Sequence, residues 1–208
     1  MAKSPVFEET YQKYLAELRG LDIFARADLL GLEAAGDHLR VPLYGREYHV
    51  SRSGISDPGG REVSAAVRVV LCKYLLTCPQ QLPPLSDRLV TYREFRDAGP
   101  LVSYFTTNTN KIIETTFAGR LDLLRERAAA AGGEVLASQT YDLSLRFLAL
   151  PRIPVLLNFN DRDELFPASA SVLYRASAEV FLDMECLAIT GTLLAGRLIA
   201  PDTGPRAA

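Results

Sequence analysis

The sequence predicts an α+β protein, with an antiparallel sheet of about four to six strands packed against several helices. Helical periodicity dominates the first two-thirds of the chain, and strand-like runs cluster in the last third. The two patterns do not alternate as they do in a doubly wound fold. The chain has 208 residues, a length typical of one domain. We therefore predict a single domain over residues 1–200 and a disordered tail over residues 201–208.

Six segments have the periodicity of amphipathic helices, with apolar residues three and four positions apart. The clearest begins at Arg61, and the Pro-rich stretch from Pro79 ends it. Gly-Pro at positions 99–100 precedes another of these segments, and Gly119 follows it. The predicted helices cover residues 5–20, 22–33, 61–77, 101–117, 121–131 and 183–198.

Five further segments have strand character. Residues 38–51 read as a hairpin, because apolar residues alternate on both sides of a turn at Tyr44-Gly45. Residues 153–159 are nearly continuously apolar, as a central strand would be. The remaining strand candidates are residues 89–95, 143–149 and 169–174.

Composition narrows the class of protein. The net charge of −2 provides no bulk field for nucleic acid or for an anionic membrane. No apolar run approaches the ~20 residues of a membrane span, and no secretory signal is visible at the start. Three cysteines, an odd number, agree with a reducing compartment. The sequence therefore predicts a cytoplasmic protein that binds neither nucleic acid nor membrane.

Familiar catalytic patterns are missing from the sequence. There is no Gly-x-Gly-x-x-Gly fingerprint, no Walker loop and no Gly-x-Ser-x-Gly elbow. Cys72 and Cys78 are six positions apart and cannot share one face of a helix. The two histidines, His38 and His49, both fall in the predicted hairpin. No metal site and no cofactor are evident in the sequence, and an enzyme is the less favoured interpretation.

The strongest local signal is a run of polar residues after the central strand. Asn160, Asp161, Asp163 and Glu164 offer side-chain oxygens where an apolar strand ends. Three interpretations are open: a solvated turn in which the side chains bond their own backbone, an interaction surface, or an acid/base or cation site. A solvated turn is the simplest of the three.

Two further candidates lie upstream. Arg93 and Glu94 follow a strand candidate, where an arginine can take a carboxylate or a phosphate; pairing with an acid of the chain itself is the plainer alternative. Asn108 falls on the apolar stripe of the helix over residues 101–117, where it either caps an internal loop or faces a cavity.

Three blocks of these motifs, in order, resemble a prokaryotic family designated domain of unknown function 3786. The last block is the most specific, because its apolar-acid-Phe-Pro order is unusual. Asn160 stands where the family pattern leads us to expect an aromatic residue, and Arg175 where it leads us to expect an aspartate. The blocks are Thr91 to Phe95 with Gly99-Pro100, Phe105 to Phe117 with Gly132-Gly133, and Leu150 to Val155 with Asp163 to Ala168 and Leu173 to Leu187.

The resemblance implies a cytoplasmic protein of bacteria or archaea, often anaerobes, in a family whose members can be fused to an iron–sulfur domain of corrinoid and one-carbon enzymes. It implies no activity and no catalytic residue. Our first hypothesis is a ligand-binding or accessory module of such anaerobic redox or one-carbon metabolism, with a protein partner or a small molecule. The alternatives are a structural homodimer subunit, and an enzyme with Asp163 or Glu164 as acid/base and Arg93 as anion clamp.

Overall fold

The structure, a computed structural model, describes residues 5–82, 84 and 86–200. Its strands form two antiparallel sheets, of four and five strands, and the helices pack with them around one hydrophobic core. The α+β prediction is confirmed, with the strands divided between two sheets. The tail predicted over residues 201–208 lies outside the described residues.

The four-stranded sheet contains the predicted hairpin. Its strands lie side by side in chain order: β1 Glu33–Ala35, β2 His38–Leu43, β3 Arg46–Ser51 and β4 Gly54–Ser56. Tyr44 and Gly45 form a two-residue turn with φ of 49° and 73°, as a type I′ turn requires. Positive φ at the non-glycine Tyr44 is strained, and the buried ring holds it in place.

The five-stranded sheet has the order β5-β9-β8-β7-β6. Its central strand, β8, is the segment predicted from its continuous apolar run, and Val155, Leu157 and Phe159 on it are almost completely buried. The prediction for residues 89–95 was too long, because a short 3₁₀ turn begins at Tyr92. The strands are β5 Leu89–Thr91, β6 Glu134–Leu136, β7 Leu143–Leu150, β8 Ile153–Asn160 and β9 Ser169–Arg175.

The α-helices of the described residues are α1 Pro5–Arg19, α2 Ala27–Leu30, α3 Ala65–Leu76, α4 Val102–Phe105, α5 Lys111–Phe117, α6 Leu121–Ala130 and α7 Met184–Ile199. The helix predicted over residues 22–33 was too long, because only the 3₁₀ turn Phe24–Arg26 and the short α2 form there and Glu33 already belongs to β1. The other α-helices coincide with predicted periodic segments. Helix α3 begins four residues later than predicted, because the Ser64 side chain accepts a hydrogen bond from the Val67 amide and caps it.

Helix α7 is buried along most of its length and organises the core. Three buried tyrosines from other elements donate hydrogen bonds to its backbone carbonyls, which are spaced three residues apart. Tyr92 donates to Met184 at 2.7 Å, Tyr174 to Leu187 at 3.1 Å and Tyr44 to Thr190 at 2.9 Å. These bonds fix the β2–β3 turn, β9 and the 3₁₀ turn after β5 against one helix.

The helix predicted over residues 101–117 is interrupted by a π-helical turn, Thr106–Asn110. The wider turn places Thr109 in the core, where the ordinary helical period had placed Asn108. Thr109 and Phe105 lie against Gly191 of α7, where a side chain would have no room. The interruption therefore lets this helix approach α7 closely.

Candidate ligand-binding cleft

The last residue of β8 and the loop after it carry four of the predicted site residues, and most of them bind backbone. The Asn160 side-chain oxygen accepts a hydrogen bond from the Asp142 amide. Oδ1 of Asp161 accepts one from the Gly119 amide at 2.6 Å. Asp163 accepts two from amides within its own turn, which lower its pKa below the ordinary value. Asp163 thus has the geometry of the solvated turn, whereas Asn160 and Asp161 also accept amides from other parts of the chain, and Glu164 is exposed.

Arg93 and Glu94 belong to the 3₁₀ turn after β5. Glu94 accepts hydrogen bonds from the amide and the hydroxyl of Thr91 at 2.7 and 2.8 Å, forming a capping box. Both hydrogen bonds lower the pKa of Glu94, and the bond from the Thr91 amide has the larger effect. Arg93 is exposed. Glu94 thus ends the strand and starts the turn.

Asn108 does not lie in the core, and it lines neither of the two clefts described below. It is half-buried, and its amide nitrogen donates to the Tyr104 carbonyl of its own helix at 2.9 Å. Asn160 and Arg175 are the two departures from the family pattern. Asn160, on β8, pairs with Ser169 at the first residue of β9, whereas Arg175 is the last residue of β9, so the two lie at opposite ends of that strand. About six residues separate those ends, roughly 20 Å, so they do not line one pocket. None of the seven predicted site residues lines the cleft that follows.

The structure contains an open cleft of about 700 Å³ where three distant parts of the chain meet. One wall is the β2–β3 turn with the loop after β4, residues 44–47 and 57–61. The second is the end of α6 and the turn after it, residues 127–132, and the third is the end of α7 at Arg197 and Ala200. A volume of this size is typical of small-molecule sites.

The first wall is fixed by an ion pair and a tight loop. Two nitrogens of Arg46 contact Oδ2 of the buried Asp57: Nη2 lies 2.5 Å away, and Nε donates a hydrogen bond at 2.7 Å. Oδ1 of Asp57 accepts the amide of Gly59 at 2.8 Å. Burial disfavours the charged carboxylate, but Arg46 and the backbone amides of Arg61 and Gly59 together outweigh it, so the pKa of Asp57 lies below its ordinary value.

Arg197 is the notable residue of the third wall. Its Nη1 donates to the Tyr44 carbonyl at 2.7 Å, and its Nη2 lies 3.4 Å from the Tyr48 hydroxyl. Burial, with Arg46 nearby, lowers the pKa of this half-buried guanidinium. Within the part of the chain that the structure describes, no carboxylate lies within ion-pair distance of it. A desolvated cation without a counter-ion favours an anion from solution.

Two more arginines complete the lining. Arg127 of α6 donates to the carbonyl of Ala200 at 2.9 Å, and Arg61 stands exposed on the loop before α3. Ion-pair partners for either are likewise absent from residues 5–82, 84 and 86–200. An arginine near a helix end also stabilises the last backbone carbonyls of that helix. A single hydrogen bond to a carbonyl uses one of the five N–H donors of a guanidinium group and leaves four available.

A second cleft, of about 320 Å³, is lined by three arginines, of which only Arg152 lacks an ion-pair partner among the described residues. Arg146 and Arg175 on its walls each form an ion pair with a carboxylate. Arg152 donates to the carbonyls of Leu29 and Asp28. The larger cleft is therefore the stronger candidate for a binding site.

A signal for the larger cleft is present in the sequence. Three of its four arginines directly follow a glycine, in the pairs Gly45-Arg46, Gly60-Arg61 and Gly196-Arg197. Gly45 and Gly60 have positive φ, so they make the turns from which the arginines project. Because arginines elsewhere in the chain are numerous and scattered, the pairs stand out only once the fold brings them together.

Two further features are absent from the described ranges. Across them, the structure contains no group of three or more His, Cys, Asp or Glu side chains that could hold a metal ion. The same residues include no helix long and apolar enough to cross a bilayer.

Comparison with protein families gives one match, to the family described as Domain of unknown function (DUF3786), over residues 22–197. The chain belongs to the DUF3786 family. The predicted resemblance is confirmed. Neither the curated proteins nor the solved structures provide a match to this DUF3786 chain. The matched region contains all four arginines of the cleft and ends at Arg197.

Proposed function

We propose that this DUF3786 protein is a ligand-binding module that takes a small organic anion into the arginine cleft. The supporting observation is Arg197, a desolvated cation with no carboxylate partner among the described residues, on the wall of a 700 Å³ cleft with three more arginines. Burying a charge without a partner is costly, so an anion that binds there is favoured over water.

The hypothesis of an enzyme based on Asp163, Glu164 and Arg93 is less well supported. Asp163 is engaged in its own turn, and Glu164 and Arg93 are exposed. An acid/base catalyst is expected to have a raised pKa in a closed pocket. The pKa of Asp163 is lowered instead.

Thermal unfolding with a panel of organic anions at constant ionic strength tests the proposal. A ligand at one hundred times its Kd adds about 2.7 kcal/mol to the stability of the folded state. For a chain of this size that raises Tm by about 5–11 °C. Sodium chloride and sucrose serve as controls for general effects of salt and cosolvent.

Arg197→Gln removes the charge but keeps a side chain that can donate to the Tyr44 carbonyl. We expect this variant to lose most of the Tm shift, because a hydrogen bond to a charged group is worth about 1.5–3 kcal/mol. Arg125→Gln is the matched control, since Arg125 is exposed on α6 and pairs only with Asp122. If no anion stabilises the wild type, or if both variants respond like it, the proposal fails.

We further propose that the module serves anaerobic redox or one-carbon metabolism, on the basis of the family resemblance alone. Native mass spectrometry and an absorbance spectrum of protein purified anaerobically from its host address this part. A retained organic anion with a mass or chromophore of that metabolism supports the association, and an unrelated ligand contradicts it.

A further inference from the structure

We propose that the ligand of the arginine cleft is a phosphomonoester, that is, a phosphate dianion carried on a small organic group. This inference rests on the proposed function and narrows it to one chemical class. Three features of the cleft support it: its net charge, the separate elements that carry its guanidinium groups, and its volume.

The charge of the cleft matches a dianion. Arg46, Arg61, Arg127 and Arg197 face two acids, Glu47 and Asp57, which leaves two positive charges uncompensated. A phosphomonoester carries about −1.5 to −2 at pH 7, whereas a carboxylate or a sulfate ester carries one negative charge. Only the phosphomonoester neutralises the cleft with a single group.

The available donors come from three separate elements. Arg61 lies on the loop before α3, Arg127 on α6 and Arg197 on α7, while Arg46 is held by Asp57. A carboxylate has two coplanar oxygens and is satisfied by one guanidinium fork. A phosphate ester has three terminal oxygens in a tetrahedral arrangement and accepts donors from several sides. A lining with guanidinium donors from three separate elements therefore favours phosphate.

The volume indicates an organic group as well as the anion. Inorganic phosphate fills only a small part of 700 Å³. Ala129, Ala130 and Ala131 at the end of α6 provide small apolar surface beside the arginines. An organic group a few carbons in size can pack there while the phosphate binds the guanidinium groups.

Calorimetric titration with three ligands that share one organic group tests the inference. The probes are phenyl phosphate, phenyl sulfate and benzoate, with inorganic phosphate as a fourth. We expect phenyl phosphate to bind at least tenfold more tightly than the other three. Its affinity is expected to rise between pH 5 and pH 7.5, because the second phosphate pKa is about 6.

Variants of the lining sharpen the test. Arg61→Gln and Arg197→Gln are each expected to weaken phenyl phosphate about tenfold or more. Asp57→Asn keeps the acceptor for the Gly59 amide but frees Arg46, so this variant is expected to bind phenyl phosphate several-fold more tightly. Asp122→Asn is the control, since it removes one negative charge from the exposed face of α6 outside the cleft.

The outcomes separate the two proposals. Phenyl phosphate binding that weakens in both arginine variants and strengthens in Asp57→Asn supports a phosphomonoester. Equal or tighter binding of benzoate or phenyl sulfate overturns the phosphate inference and leaves the anion-binding function standing. Absence of binding by all four probes, together with a panel of anions that leaves Tm unchanged, overturns both. An Asp122→Asn gain equal to that of Asp57→Asn shows bulk charge and overturns the assignment to the cleft.

Discussion

Replacing Gly191 with alanine tests how closely the π-helical turn packs on α7. An ideal Cβ at this position lies 2.4 Å from one carbon of the Phe105 ring and 3.0 Å from the Thr109 hydroxyl oxygen. The Phe105 ring stacks on Tyr92 with centroids 4.4 Å apart, so it cannot move away freely. The added methyl group must therefore displace packed core side chains.

Two opposing terms determine the size of the effect. Alanine in place of glycine inside a helix stabilises it by about 0.8–1 kcal/mol. Overpacking a tight core costs about 1–3 kcal/mol, and the near-contact at Phe105 favours the upper part of that range. We expect a net loss of about 1–2 kcal/mol, which corresponds to a Tm lowered by roughly 2–8 °C for a domain of this size.

Thermal unfolding of Gly191→Ala beside Gly196→Ala provides the measurement and its control. Gly196 lies on the same helix, but a Cβ there meets no atom within 4 Å. Only the helix-propensity term applies, and Gly196→Ala should raise Tm by a few degrees at most. A Gly191→Ala protein as stable as the wild type would refute the close packing of the two helices.

Three further predictions concern buried polar groups. Tyr174→Phe removes a buried hydroxyl that donates to an α7 carbonyl, and should lower the free energy of unfolding by about 1 kcal/mol in urea titration. The lowered pKa of Asp57 adds stability that is present above the unfolded pKa of about 3.9 and is lost as pH falls through the lower folded value. The Asp57→Asn protein should therefore lose less stability than the wild type between pH 5 and 2, measured by unfolding at a series of pH values. Burial raises the pKa of Cys72 to about 12 and also raises that of Cys186, so a thiol reagent at pH 8 should label both only on unfolding, whereas the half-buried Cys78 should react slowly in the native protein.

The spacing of apolar residues was sufficient to predict the main helices and strands, because each of them must turn apolar side chains toward the core. The hairpin turn at Tyr44-Gly45, the central strand β8 and helix α7 each bury a regular set of apolar residues, and such sets can be read without tertiary information. The π-helical turn could not be predicted. Its one extra residue per turn is favoured by the close contact with Gly191, a residue some eighty positions away.

The split of the strands into two sheets also depends on tertiary structure. The apolar pattern of a strand does not show which sheet the strand joins, because pairing partners are set by the packing of whole layers. The shortened strand β5 shows a different limit. Glu94 was singled out for a ligand, but its oxygen binds Thr91, three residues earlier, and ends the strand.

The polar run after β8 and the arginine cleft differ in how their polar groups are satisfied. Asp161 and Asp163 accept amides from nearby turns, so their concentration in the sequence reflects the needs of backbone at a strand end. In the arginine cleft, the charged groups come from distant parts of the sequence. Arg61, Arg127 and Arg197 are brought together only by the packing of the hairpin against the ends of α6 and α7. Local density of polar residues predicts turns well, since a turn must satisfy its own backbone. Binding sites are better sought where the folded chain leaves charge without a partner, and in the described part of this chain that condition is met at Arg197.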